Sequence, residues 1–117
     1  MQILPTPIHS SLSPYKLFQQ LWKAIEVNNC DEVHQMVDSL VYALQGNQSL
    51  ATRTVMELID SALRHQCVLN IKKDLTRLPG FVGNAPIKWG GPMLIPHVKN
   101  CGDMAFASYL KQQGAGK

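Results

Sequence analysis

Residues 29–46 read Asn29-Cys30-Asp31-Glu32-Val33-His34-Gln35-Met36-Val37-Asp38-Ser39-Leu40-Val41-Tyr42-Ala43-Leu44-Gln45-Gly46. Val33, Met36, Val37, Leu40, Val41 and Leu44 recur at alternating long and short steps that lay them along one side of a helix. Asp31, His34, Gln35, Asp38 and Gln45 occupy the remainder of its circumference. Asn29 can cap the start, Glu32 can reach back to it, and Gly46 is placed to end the helix.

Upstream, Ser13-Pro14 combines an N-cap serine with a proline at the first helical position, where its missing N–H costs nothing. Leu17, Phe18, Leu21, Trp22 and Ile25 give that helix one apolar face. Val27-Asn28-Asn29 ends it, because Asn tolerates the left-handed conformation. So short a turn predicts an antiparallel or steeply crossed hairpin.

Downstream, Ser49 can cap a third helix whose face runs through Val55, Leu58, Ile59, Ala62 and Leu63. The spacing continues through Cys67, Ile71, Leu75 and Leu78, which predicts one long third helix. A break near Val68-Leu69-Asn70 is the alternative, and Pro79-Gly80 stops the pattern either way. In residues 79–98, Pro79, Pro86, Pro92 and Pro96 alternate with Gly80, Gly83, Gly90 and Gly91. Phe81, Val82, Ile87, Trp89, Met93, Leu94 and Ile95 make this stretch too apolar for a solvated tether, so an extended strap across the helices is expected. Asp103 can cap a short last helix with Met104, Phe106, Ala107 and Leu110 inward, closed by Gly114. The expected organisation is all-α: an extended arm (1–12), a helical domain (13–78) built from a hairpin and a long third helix, the strap (79–98), and a short C-terminal helix and tail (99–117).

The size suits this plan. The chain has 117 residues, 45% apolar and 16% charged, enough for one packed domain. No apolar run reaches the roughly 18 residues of a membrane span. The first residues lack a basic region and are interrupted by Pro5 and Pro7, unlike a secretory signal. Cys30, Cys67 and Cys101 are too few and too scattered for a disulfide framework, so a cytoplasmic or otherwise intracellular setting is expected, with no membrane partner.

Charge is divided unevenly. Residues 1–60 hold three basic side chains against six acidic ones, and residues 61–117 hold eight against two. The basic half could meet an acidic protein, or a nucleic acid through Arg64, Lys72, Lys73 and Arg77.

Three Cys/His pairs, Cys30 with His34, His65 with Cys67, and His97 with Cys101, have spacings that could supply two metal ligands each. None is a Cys-x-x-Cys, and buried thiols with surface histidines account for them equally well, so no metal and no cofactor is expected. Glu57 and Asp60 could pair as carboxylates but fall on the polar side of their helix. Nucleophile-elbow, phosphate-loop and His-Glu-x-x-His patterns are absent, so an enzyme would need a site assembled from dispersed residues such as His65 and His97.

Two fragments resemble ankyrin repeats. Residues 21–37, from Leu21-Trp22-Lys23-Ala24 to Gln35-Met36-Val37, resemble the helix–turn–helix of a first repeat, with Ala24 in the small position of the first helix. Residues 102–115, Gly102-Asp103-Met104-Ala105-Phe106-Ala107 through Gly114-Ala115, resemble the second helix of a later repeat. The resemblance covers about a quarter of the chain and implies a partner-binding surface without catalytic residues. Val33 and Ala107, which it makes equivalent, are 74 residues apart, against about 66 for two ankyrin periods.

The expected function is therefore non-enzymatic binding of another protein, as adaptor, inhibitor or assembly subunit. The expected contacts are Trp89, Phe81, Ile87 and Met93 of the strap, since a Trp in a Gly/Pro-rich segment suits a partner's pocket. The alternatives are a nucleic-acid-associated protein using the basic 64–77 face, and a small enzyme.

Overall fold

A computed structural model describes residues 13–45, 50–82 and 94–113, and the regular elements among them are all α-helices. α1 (Pro14–Glu26) and α2 (Cys30–Ala43) form a first hairpin, α3 (Thr52–Arg64) and α4 (Leu69–Leu75) a second, and α5 (Leu94–Asn100) and α6 (Met104–Gln112) a third. Between hairpins, α1 packs on α3, α2 on α4, and α4 on α6. The hairpins thus stack in chain order, each burying its apolar face against the next.

The three turns are built alike. Asn28, Gln66 and Gly102 take left-handed φ values of 57°, 53° and 83°. Each donates its N–H to the carbonyl three residues back: Asn28 to Ile25, Gln66 to Leu63, Gly102 to Lys99. The next residue donates five back: Asn29 to Ala24, Cys67 to Ala62, Asp103 to Val98. This double closure is the Schellman motif, which satisfies the last carbonyls of the first helix while reversing the chain.

Asn28 and Gln66 are 38 residues apart, and Gln66 and Gly102 are 36 apart. The same offsets superimpose the core. Leu17, Leu21 and Ala24 of α1 correspond to Val55, Ile59 and Ala62 of α3; Val33, Val37 and Leu40 correspond to Ile71, Leu75 and Leu78, and all twelve are buried. In the third hairpin Val98 takes the place of Ala62, and Ala107 that of Ile71. Val33 and Ala107 are therefore equivalent positions two structural periods apart, with periods longer than the ankyrin 33 residues.

Local chemistry starts the helices. The Ser13 hydroxyl accepts the Lys16 N–H (3.4 Å), Asn29 Oδ1 the Glu32 N–H (3.1 Å), and Asp103 Oδ1 the Phe106 N–H (3.0 Å). α3 and α4 begin at Ala51 and Val68 without a side-chain cap, so packing rather than capping holds them.

Three expectations need correction. The long third helix is two helices: left-handed Gln66 reverses the chain between Arg64 and Leu69, and the apolar spacing that suggested continuity arises because α3 and α4 face one core. The strap does not run to residue 98, because α5 occupies Leu94–Asn100 with Leu94 and Val98 fully buried. Pro96 lies in its first turn, where a proline interrupts no helical hydrogen bond. Met104 does not face inward but is 58% exposed. The arm, Gly46, Ser49, Gly114 and the strap residues Ile87, Trp89 and Met93 lie outside the described residues.

The segment after α4 is pinned by Gly80, at φ 97°, where a Cβ would stand 2.6 Å from the Leu50 carbonyl oxygen.

The shared turn position gives a paired expectation. Gln66→Gly removes left-handed strain and should stabilise the domain by about 0.5–1 kcal/mol, whereas Gly102→Ala introduces it and should cost about 1 kcal/mol. Urea denaturation midpoints of the two variants, moving in opposite directions, check this.

Candidate functional site

Most of the charged groups singled out from the sequence are used to join hairpins. Between the first and second, His34 Nδ1 lies 3.0 Å from Asp74 Oδ2, and its Nε2 lies 3.4 Å from Asp38. Arg77 donates to Asp38 and, at 2.9 Å, to Asp74, bonds that raise its guanidinium pKa above the ordinary value. Between the second and third, His97 Nε2 lies 3.1 Å from Asp60, which also accepts from Arg64 at 3.1 Å, and Lys72 pairs with Asp103.

Of the four candidate nucleic-acid residues, Arg64 and Arg77 are therefore tied to carboxylates, and Lys72 is 6% exposed. The Lys73 ammonium stands 5.1 Å from the centre of the Tyr109 ring, a cation–π contact between α4 and α6. Lys72, Lys73 and Arg77 thus contact a neighbouring hairpin, whereas Arg64 pairs within α3 and its side chain is 64% exposed.

The Cys/His pairs divide in the same way. Cys67 is buried and donates its thiol to the Ile25 carbonyl at 3.3 Å. His65 Nδ1 lies 2.9 Å from the Ser61 carbonyl oxygen, Cys30 is half-buried, and Cys101 is exposed. Among the described residues no three His, Cys, Asp or Glu gather in a group able to hold a metal. Glu57 and Asp60 each bind their own arginine, Arg53 at 3.5 Å and Arg64 at 3.1 Å, instead of each other. His97 and Asp60 do come together, as a link from α5 to α3. Phe81 is half-buried against the protein's own core.

What remains open is the edge formed by the three turns. Asn28 Oδ1 accepts the Val68 N–H at 3.4 Å, which with the Cys67–Ile25 bond locks the first turn to the second. A cavity of about 300 Å³ separates the second turn from the third, lined by Leu63, Gln66, Lys72, Cys101, Gly102 and Asp103. Asp103 is fixed at both oxygens, one capping α6 and the other binding Lys72, so this ion pair is a strut and not a loose acid–base couple.

Along the edge each turn exposes one apolar side chain: Val27 (70%), Val68 (46%) and Met104 (58%). Glu26, Asp31 and Glu32 flank Val27, whereas Arg64 and Lys99 lie beside the other two. Of the other large exposed apolar residues, Tyr15 and Tyr42 lie at the opposite ends of their helices, and Val82 lies in the segment after α4. A second depression of about 600 Å³ runs over α1 between Lys16, Gln19, Gln20, Trp22, Lys23 and Glu26, with a lining of mixed polarity.

Sequence reasoning missed the edge row. Its only signal is that each member stands within two residues of a left-handed turn position, and the turn at Gln66 carries neither Gly nor Asn.

No family model matches the chain, and no curated protein or solved structure matches it. Among the described residues, no helix is long and apolar enough to cross a membrane.

Removing one member of the Lys72–Asp103 pair has unequal consequences. Asp103→Ala strands a buried ammonium and uncaps α6, an expected loss of about 3–5 kcal/mol, whereas Lys72→Met should cost no more than about 1 kcal/mol. Chemical denaturation distinguishes these outcomes.

Burial pushes the Cys67 thiol above its ordinary value, against a lowering pull from Lys72 and with a further push from Cys30. With the folded pKa raised, the unfolded chain loses this proton first. The thiol's contribution is complete below the unfolded value of roughly 8.5 and is lost as pH rises towards the folded value. Stability should therefore decline with alkaline pH more steeply in the native chain than in Cys67→Ala, as read from the slope of denaturation midpoint against pH.

Proposed function

We propose that this chain is a non-enzymatic protein-binding module, acting as an adaptor, inhibitor or assembly subunit, and that it binds through the edge of its three hairpin turns. The observation that carries this reading is the row Val27, Val68 and Met104, one exposed apolar side chain per turn along an edge whose every turn residue is described.

Three physical points support it. Apolar side chains near doubly closed turns are held in place before a partner arrives, so little ordering cost opposes contact. Aligned apolar groups with charged flanks have the make-up of a binding surface, an apolar centre within a polar rim. The cavity beside Gln66 and Gly102 offers a recess for a partner's side chain between two of the three contacts. Three of the four basic residues that would serve a nucleic acid, Lys72, Lys73 and Arg77, are instead engaged between hairpins.

Replacing Val27, Val68 and Met104 together by Ser tests the reading, with helix content checked by circular dichroism. Proteins captured from a cell extract by the native chain at moderate salt should be retained at least about tenfold less by the triple variant. Equal retention by a folded variant refutes the edge as the binding surface.

A further inference from the structure

We propose that His34 makes the seam between the first two hairpins sensitive to protons, so that the stack closes more firmly as pH falls through the range in which histidine titrates. The proposal stands on the geometry of α2 and α4 and is independent of what the turn edge binds.

His34 projects from α2 with a carboxylate at each ring nitrogen. Nδ1 lies 3.1 and 3.0 Å from the two oxygens of Asp74 on α4, and Nε2 lies 3.4 Å from Asp38 Oδ2 on α2 itself. A neutral imidazole carries one N–H and can donate to only one of these acids, leaving its other nitrogen's lone pair turned towards an oxygen. The imidazolium donates to both. Arg77 of α4 completes the cluster, bound to Asp38 and to Asp74. Those bonds, that to Asp38 first, hold its guanidinium proton above the ordinary range, so Arg77 supplies a fixed charge. With His34 neutral the four side chains sum to one negative charge, and with His34 protonated they balance.

Other charged groups of the packed helices are engaged elsewhere or stand apart. Lys72 binds Asp103, and Lys73 lies over the Tyr109 ring. Lys16, Lys23 and Glu26 line the depression on α1. Asp31 and Glu32 lie in the first turn of α2, and Asp31, three residues before His34, is a further acid that favours the imidazolium.

The second seam shows a permanent cation at the same place. Lys72 stands one structural period after His34 and, like it, reaches forward to a carboxylate of the following hairpin, Asp103. His34 is to Asp74 what Lys72 is to Asp103, except that its charge depends on pH. His97 differs, because its Nε2 meets only Asp60, which Arg64 already neutralises.

The two-acid arrangement exists only while α4 is docked on α2, and only the imidazolium satisfies it, so docking and protonation favour each other. The tie is present on the acid side of the histidine range and is lost as pH rises through it. His34 and Asp38 are 57% and 52% exposed, so solvent screens the contact and the effect is a modest factor. Across this same seam Asn28 Oδ1 accepts the Val68 N–H, so its firmness governs how well the first two turns keep their places.

Hydrogen exchange on the full chain at about pH 5.5 and 7.5, corrected for the intrinsic pH dependence of exchange, reads the opening of the seam. Between those values the α2 amides of Met36, Val37 and Leu40 should lose protection by about twofold to fivefold more in the native chain than in His34→Asn. His34→Asn keeps an amide donor for Asp74 without the charge; a purely structural role would lower its protection equally at both pH values. His34→Lys, which copies the arrangement at Lys72, should retain at about pH 7.5 the protection that the native chain has at about 5.5. Because His34 is more than half exposed, both variants are expected to fold, as circular dichroism checks. An equal pH response in the native chain and His34→Asn overturns the proposal. So does native protection that rises with pH, or a His34→Lys chain that loses protection with pH as the native chain does.

Discussion

The left-handed residue at each hairpin turn is the constraint on which the remainder of this structure depends. A helix that ends in a Schellman closure has its exit direction set within three residues, and here the exit leads straight into a second helix. Asn28, Gln66 and Gly102 impose the same reversal, so the three hairpins have the same shape and can stack. The cross-links between the first two turns, Asn28 to Val68 and Cys67 to Ile25, exist only because the reversals coincide in space. Gln66 makes the point most plainly: no glycine relieves its φ of 53°, yet the fold holds it there because Leu63 and Ile71 are buried on either side.

Ion pairs then fix how one hairpin sits on its neighbour. Lys72 of α4 reaches Asp103 of the third turn, and His34 of α2 reaches Asp74 of α4; Lys72 and His34 occupy equivalent positions one structural period apart. The buried Lys72–Asp103 pair adds little net stability over apolar contacts, but a one-residue slip would strand its charge, so it selects register. This use of charge also takes up part of the basic segment, since Lys72, Lys73 and Arg77 each contact a neighbouring hairpin. Arg64 differs from them, pairing with Asp60 on its own helix with its side chain 64% exposed.

Much of this was legible in the chain and some was not, for physical reasons. α1 and α2 could be read to their ends, because Ser13-Pro14, Asn28-Asn29 and the apolar stripe from Val33 to Leu44 all point the same way. α6 was legible through Asp103. The boundary between α3 and α4 was hidden, because Gln66 has no turn signature and two helices sharing one core can keep a single apolar period across the break. α5 was masked by Pro96, whose tolerated place in a first turn reads along the chain as a helix breaker. Of the candidate site, Phe81 packs half-buried on the core, and Lys72, Lys73 and Arg77 make contacts between hairpins that depend on the fold and not on the spacing along the chain. The edge row escaped notice because Val27, Val68 and Met104 look unremarkable until three turns bring them into line.

In a stacked-hairpin protein each unit contacts only its neighbours, so anything placed once per hairpin at the same point becomes a line. At interior points the line is core: Leu21 with Ile59, or Val33 with Ile71 and Ala107. Between hairpins it becomes the ladder of ion pairs. At the turns the exposed apolar side chains do not repeat one point: Val27 stands one residue before its left-handed position, whereas Val68 and Met104 stand two after theirs. A turn held by backbone hydrogen bonds leaves the exposed side chain free to be of any type. Apolar side chains at Val27, Val68 and Met104 are therefore not demanded by the closure of the turns.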